Sequence, residues 1–460
     1  MKRTAVINVV GLTRSLIGEH TPNICKLVER SSLQTIRPVF PALTCSAQST
    51  YLTGVDPSEH GAVANGWYDR QYEEHRFWKQ SNHIVEHPKI WDALKKQDPS
   101  FTCAKLFWWY NMYASVDYSI TPRPLYLADG KKEFDIYTQP MGLRETIKSE
   151  LGNFPFPFFW GPMAGIKSSD WIAKAAEWVE ARHSPTLNLI YLPHLDYNLQ
   201  RLGPNDPAIT EDLQAIDAVV GRLIDYFDQR GVQVVLLSEY GITEVDRPVH
   251  LNRVFREKGW VAIKKDLGLE YIDCGASKAF AIADHQMAHI YINDPDLKGV
   301  VKETLSTVDG VEHVLDDEEK KAYGIDHERS GDLIVIADKD SWFTYYYWED
   351  DAVAPDFARC VDIHRKIGYD PVELFVDPEI SSPKLRIAKR LLQKKLGMRM
   401  TLDVIPLDAT LVKGSHGRIP ESEDDWPVYI GPGANADSEA LKSTDVYGKL
   451  MACVEGSIDR

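Results

Sequence analysis

The sequence predicts an α/β protein built on a mostly parallel sheet, and three observations carry that prediction. Residues 5–10, 187–192 and 233–238 are apolar and β-branched almost without interruption. Strands with no polar face must be covered on both sides, which is the situation of a central parallel strand. Helical patterns accompany them: Trp171, Ala175 and Trp178 recur within 170–182, and Leu213, Ile216, Val219, Val220, Leu223, Ile224 and Phe227 within 213–230. The 460 residues, 44% hydrophobic and 26% charged, suffice for one large sheet with insertions.

The first run, 5–10, follows a basic start, Met1-Lys2-Arg3. It is short and lacks a small-residue cleavage site, so it reads as the buried first strand and not as a signal peptide. No segment approaches the roughly 18 apolar residues of a membrane span. The expectation is a cytoplasmic protein with no membrane partner. The formal net charge is −16 and no basic tract interrupts it, which argues against stable nucleic-acid binding. Metal ions can still draw an anionic substrate into an acidic protein. The six cysteines form no C-x-x-C pair, so no zinc knuckle or dithiol motif is supported.

Residues 21–30 read as a helix with Pro22 near its start. An apolar stretch, Val39-Phe40-Pro41-Ala42-Leu43, then delivers a single hydroxyl, Thr44, at the head of a run of small and polar residues. Two readings of Thr44 stand at this point: a helix N-cap, or a nucleophile exposed where free N–H groups and the helix dipole favour an anion. Between about 70 and 170 the chain is rich in aromatics and prolines, as in Phe107-Trp108-Trp109-Tyr110 and the 154–161 segment. This breaks the βαβ rhythm and is expected to form an inserted cap region. The strand 187–192 leads to Pro193-His194-Leu195-Asp196 and Gln200, and the strand 233–238 leads to Glu239-Tyr240-Gly241. Function in open α/β sheets gathers at such strand ends.

Further on, 279–282, 288–292 and 333–337 read as strands. His285 and His289 have the i, i+4 spacing of helical metal ligands, but 288–292 reads as a strand, which breaks that geometry. His327, in a turn before the 333–337 strand, either faces the site or serves the turn. Asp362 and His364, two residues apart, lie on one face of an extended segment and are candidates for joint ligation; pairing with each other or with Arg365 is the alternative. Residues 384–395 form a basic helix, read as a solvated face. His416 sits in a Gly414-Ser415-His416-Gly417 loop whose glycines suit the aiming of one imidazole. Residues 1–435 are taken as one domain and 436–460 as a frayed polar tail.

Phe40-Pro41-x-x-Thr44, Thr53-Gly54, Pro57-x-Glu59-His60-Gly61 and Asn65-Gly66-x-Tyr68-Asp69 together resemble, without gaps, the nucleophile region of the nucleotide pyrophosphatases/phosphodiesterases of the alkaline phosphatase superfamily. The resemblance implies an alkaline phosphatase-like three-layer sandwich with a mostly parallel central sheet. It also implies a metal-dependent hydrolase of a phosphate ester or phosphodiester of a small metabolite, with Thr44 as the nucleophile. It assigns Asp196, Glu239 and His416 as metal ligands, with Asp362 and His364 added as candidate replacements. The implied cofactor is one or two divalent ions, zinc first, then manganese or iron. The chain departs from the family pattern where Val10, Gln200 and Tyr240 stand at ligand positions. Asn8 and His194 are the nearby substitutes. Ala47 replaces a phosphoryl-binding Asn, and Cys45 an aromatic residue that helps stack a nucleotide base, so a nucleotide substrate is not expected. Two alternatives stay open: a pseudo-enzyme of the same fold that binds a ligand or partner protein, and a transferase or phosphonate-cleaving relative.

Overall fold

The computed structural model describes residues 1–398, 401–435 and 438–457. A nine-stranded sheet runs through its centre, in the order Leu441–Lys442, Leu33–Arg37, Val428–Ile430, Gln233–Leu237, Thr4–Val9, Leu187–Leu192, Cys103–Leu106, Tyr118–Pro122, Ile136–Gln139. Only Val428–Ile430 and Ile136–Gln139 run against the others. Thr4–Val9 and Leu187–Leu192 are buried along their whole length, so both faces of the sheet are covered, as their apolar sequences require. Helices Pro22–Ser31, Ile166–His183 and Ile209–Asp228 pack together as one cover, and Thr44–Thr53 with Asp445–Glu455 as another. The fold is thus the mixed α/β sandwich expected.

Two expectations about its organisation are corrected. The stretch 70–170 is not simply a cap laid over the sheet. Cys103–Leu106, Tyr118–Pro122 and Ile136–Gln139, all within it, are the last three strands of the central sheet. The described part of 436–460 is not a frayed tail either. Leu441–Lys442 pairs in parallel with Ile36–Arg37, and Asp445–Glu455 is a helix that buries Val446, Leu450, Cys453 and Val454. That i, i+4, i+7, i+8 spacing is one apolar helix face, and Lys2 N–H donates to the Val454 carbonyl to close the chain's two ends together. Leu450 is fully buried, so Leu450→Ala is expected to cost about 3 kcal/mol. A denaturant midpoint equal to that of the wild type would return this helix to the surface.

A second, smaller sheet lies within 279–337. Its four antiparallel strands follow the order Ala279–Asp284, Met287–Ile292, Leu333–Ala337, Val311–Leu315. It has its own apolar core, to which Trp342, Phe343, Tyr345, Tyr347 and Trp348 contribute. Among the described residues, no helix is long and apolar enough to cross a membrane.

Candidate active site around Thr44

Thr44 opens the helix Thr44–Thr53, with Leu43 as its N-cap and no side-chain cap hydrogen bond. The N-cap reading is therefore set aside, because the hydroxyl is free for other partners. Every residue of this helix is buried, although its sequence is polar. Burial on that scale is tolerated because hydroxyls and amides find partners. Ser46 Oγ donates to the Ala62 carbonyl at 2.8 Å, Thr50 Oγ1 meets His60 Nε2 at 3.0 Å, and Tyr51 OH donates to the Ser238 carbonyl at 2.9 Å. Burial lowers the His60 pKa to about 3, so this imidazole is a neutral partner. Asn65, from the Asn-Gly-x-Tyr-Asp motif, accepts from the Cys45 N–H at 3.1 Å and so braces the helix at its first turn.

Four strand ends and loops converge on the Thr44 hydroxyl. Its Oγ1 lies 3.2 Å from Tyr240 OH, and Tyr240 OH donates to Asp196 Oδ1 at 3.1 Å. In the contact between Thr44 and Tyr240 either hydroxyl can be the donor. Gln200 Nε2 donates to Asp196 Oδ2 at 2.8 Å, and Tyr369 OH donates to Gln200 Oε1 at 3.1 Å. The His416 ring stacks flat on Tyr240, with centroids 3.7 Å apart and an interplanar angle of 6°. Its Nδ1 is 2.7 Å from the Ala42 carbonyl, which fixes Nδ1 as the protonated nitrogen and leaves Nε2 bare, 3.9 Å from Asp196 Oδ1. Burial, reinforced by the neighbouring His285, holds the His416 pKa well below its ordinary value.

Glu239 is fully buried. Its Oε1 accepts from Asn8 Nδ2 and Gln48 Nε2, both at 2.5 Å, while Oε2 has no hydrogen-bond partner. Burial raises its pKa to about 8, against the opposing pull of Gln48, Asn8 and the nearby Thr44 hydroxyl. Asp196 is raised to about 7, again chiefly by burial.

Thr44, Asp196, Glu239 and His416 are thus brought together. Asp362 and His364 join none of them by contact. The Asp362 N–H donates to Glu373 Oε1 at 2.8 Å, and His364 Nδ1 lies 3.3 Å from the Phe77 carbonyl. His194 is turned away as well, its Nε2 3.1 Å from Asp212 Oδ1. His327 serves a surface turn beside Glu86. His289 is held by backbone, between the Val63 carbonyl and the Gly331 N–H.

His285, the other half of the pair dismissed as a helical motif, does reach the site by another route. It sits in the turn between Ala279–Asp284 and Met287–Ile292 with φ +61°. There its ring lies between Tyr369 and His416, with centroids 3.7 and 3.8 Å away. Its Nδ1 is 2.7 Å from Asp284 Oδ1, and its buried Nε2 has no partner. Asp284 is anchored in turn by the Asn65 N–H and side-chain amide. Gln48, Asp284, His285 and Tyr369 are therefore site residues that the sequence reading did not select.

The side chains test the family's divalent ions unevenly. Asp196 and the bare Nε2 of His416 stand at a spacing that one ion can bridge, since ligand atoms each about 2.0–2.2 Å from an ion can lie up to about 4 Å apart. Gln200 adds no free donor, since its Nε2 donates to Asp196 and its Oε1 accepts from Tyr369. At the second position, Val10 is apolar and fully buried. Tyr240, which stands where the resemblance expects a His ligand, places its hydroxyl between Thr44 and Asp196. Among the described residues, no three His, Cys, Asp or Glu side chains form a metal cluster. Asp196 and His416 are thus the two donors that could share one ion, and the second position lacks its ligands among the described residues.

A family model for type I phosphodiesterase/nucleotide pyrophosphatase matches residues 4–370. An uncharacterized pyrophosphatase/phosphodiesterase of Schizosaccharomyces pombe is 27% identical over 249 residues, 51% of this chain and 44% of that protein. Ectonucleotide pyrophosphatase/phosphodiesterase family member 3 of Rattus norvegicus is 22% identical over 246 residues, 51% of this chain and 24% of that protein. The match spans less than half the length of either relative. Among solved structures, an inactive variant of murine ectonucleotide pyrophosphatase/phosphodiesterase 5 in complex with AMP has a TM-score of 0.59 at 15% identity, covering 99% of this chain and 95% of that one. Phosphonoacetate hydrolase from Sinorhizobium meliloti in complex with phosphonoformate has a TM-score of 0.63 at 13% identity, covering 98% and 96%. The structures share the fold, and the family model, which spans most of the sequence, shows that the chain belongs to the type I phosphodiesterase/nucleotide pyrophosphatase family.

Proposed function

We propose that the protein hydrolyses a phosphate ester or phosphodiester of a small metabolite, with Thr44 as the nucleophile. The observation that carries this reading is the Thr44 hydroxyl itself: free of any capping role, at a helix N-terminus, bonded to Tyr240 and next to the unpartnered carboxylate oxygen of Glu239. The phosphorus would sit against Thr44 Oγ1, its oxygens favoured by the positive end of the helix dipole. As Oγ1 bonds to phosphorus and the bond to the leaving oxygen breaks, the Thr44 proton passes to Glu239. Burial raises the basicity of this carboxylate, which takes the proton once it has ionised, towards pH 8. Water then attacks the phosphorus as the P–Oγ1 bond breaks, Glu239 returns its proton to Thr44 Oγ1, and the proton shed by the water replaces the one the leaving alkoxide took from solvent.

Asp196, oriented by Gln200, and His416 would hold one divalent ion, and bound there it would polarise the phosphoryl oxygens. Asn8 and Gln48 orient Glu239, and Tyr240 keeps the hydroxyl of Thr44 in register. Beside the site, Trp78 packs on Trp109 and Tyr369, and Trp160 on Tyr369. The three indoles are only half-buried and offer apolar surface to the organic part of a substrate.

Two observations favour a second reading, ligand binding without turnover: a tyrosine hydroxyl stands between Thr44 and Asp196 where a metal ligand is expected, and Thr44 is almost fully buried. Acid quenching during turnover of a panel of phosphate monoesters and diesters, followed by peptide mapping, separates the two. Phosphate on Thr44 is the expected result. Binding of the panel with no turnover and no modified Thr44 would establish the second reading, and turnover with phosphate transferred to an acceptor other than water would make the protein a transferase.

A further inference from the structure

The helix Pro383–Lys395 is held to the protein through Arg386, Ile387 and Arg390 and turns Leu385 and Leu392 outward, with Leu396 just past its end. Arg386 and Arg390 both bind Asp403, with Arg390 Nε 2.9 Å from Oδ1 and Nη2 3.0 Å from Oδ2. Ile387, next to them on the inner face, packs on the core of the smaller sheet. On the outer face, Leu385, Leu392 and Leu396 are 72%, 57% and 67% exposed. At 100° per residue, positions 385, 392 and 396 lie within about 40° of one another, so they form one stripe along the axis. Lys384, Lys389 and Lys395 are exposed as well and flank that stripe on both sides. A helix serving only as a solvated face would place lysines where these leucines stand.

We infer that this outer face docks on an anionic phospholipid surface, the leucines entering the acyl boundary and the lysines remaining at the headgroups. Charge is the argument for that partner. The whole chain carries −16, so its body is repelled by an anionic surface, and this face offers a lysine-rimmed apolar stripe of the kind that interfacial helices use. The flexible lysine stems can keep their ammonium groups at the headgroup level while the leucines sink below them. Docking here leaves the Thr44 site untouched, since no residue of the stripe contacts it. The expectation of no membrane partner, drawn from the absence of a spanning segment, does not extend to binding of this kind.

The test is flotation of the full-length protein with vesicles of phosphatidylcholine alone and of phosphatidylcholine with about 30% phosphatidylserine. Binding is expected only to the anionic vesicles, falling with added salt. It should weaken about tenfold or more in Leu385→Ser/Leu392→Ser/Leu396→Ser and in Lys384→Glu/Lys389→Glu/Lys395→Glu. All six positions are exposed, so both variants should keep the wild-type melting temperature, and that is measured alongside. Three results would overturn the inference. The wild type could fail to float with anionic vesicles, or the leucine variant could float as well as the wild type. The leucine variant could instead convert a concentration-dependent dimer into a monomer while neither protein floats, in which case the stripe joins two copies of this chain.

Discussion

Replacing Thr44 with alanine is expected to lower kcat/KM for phosphate-ester hydrolysis by about 1,000-fold or more. The loss should appear in kcat with substrate affinity nearly unchanged, because the hydroxyl makes the new bond and contributes little to holding the ground state. The fold should survive. Thr44 does not cap its helix, and its Oγ1 hydrogen bond is to Tyr240, which keeps Asp196 as a partner. Steady-state kinetics with calorimetric binding to the same substrate check this. A variant that retained a tenth of the activity would exclude covalent attack by Thr44.

The second large effect is on stability against pH, measured with a chelator present so that no ion neutralises the site. Glu239 is raised from the ordinary carboxyl range to about 8 and Asp196 to about 7, each chiefly by burial. A carboxyl whose folded-state pKa is raised binds its proton more tightly in the folded chain. Below about pH 4 both states hold the proton, and the folded state suffers no penalty. Between about pH 4 and 8 the unfolded chain ionises first, so stability falls as pH rises, and it levels off once the folded carboxyls have ionised too. The two carboxyls together should account for several kcal/mol over this window, at about 1.4 kcal/mol per pKa unit. Glu239→Gln should flatten the slope, since the amide keeps the shape without the charge. Unfolding midpoints at pH 5 and pH 8 that coincide in the wild type would contradict a pair of buried, reluctantly ionised carboxyls.

Much of this site was legible because the residues that form it stand where strands end. Asp196 and Glu239 follow uninterrupted apolar runs, and a strand that is buried on both faces can offer chemistry only at its carboxyl end. His416 was legible for a different reason, an imidazole set between glycines. What escaped depended on side-chain direction and not on sequence position. His285 looked like half of a helical pair, but a left-handed turn returns its ring to the sheet's end, and no periodicity reports a single positive φ. Gln48 looked like one polar residue among several. Only the packing of its helix against Glu239 shows that it holds the carboxylate and accepts from the Trp109 N–H.

Asp362 and His364 were attractive because they lie two residues apart in an extended segment, yet that spacing says only that two side chains share a face. His364 turns to the Phe77 carbonyl, and Asp362 meets Glu373 through its backbone N–H. The Gly-Tyr-Asp signal just beyond them led to the site through its tyrosine: Tyr369 reaches Gln200, whereas Asp370 is 2.7 Å from the buried Lys366. The terminal helix was hidden by its polar approach, Ser438 to Asp445, although Val446, Leu450, Cys453 and Val454 spell an apolar face. The aromatic stretch between 70 and 170 concealed three short sheet strands because its tryptophans and prolines outweighed them.

In the proposed site, Tyr240 stands where a second set of metal ligands is expected, which leaves Asp196 and His416 to share a single ion. Metal content after repletion with zinc or manganese and removal of the excess tests it most directly, on the wild type and on His416→Ala. The account predicts one equivalent per chain in the wild type and none in His416→Ala. Two equivalents in the wild type would contradict it. So would hydrolysis undiminished in a protein that binds none.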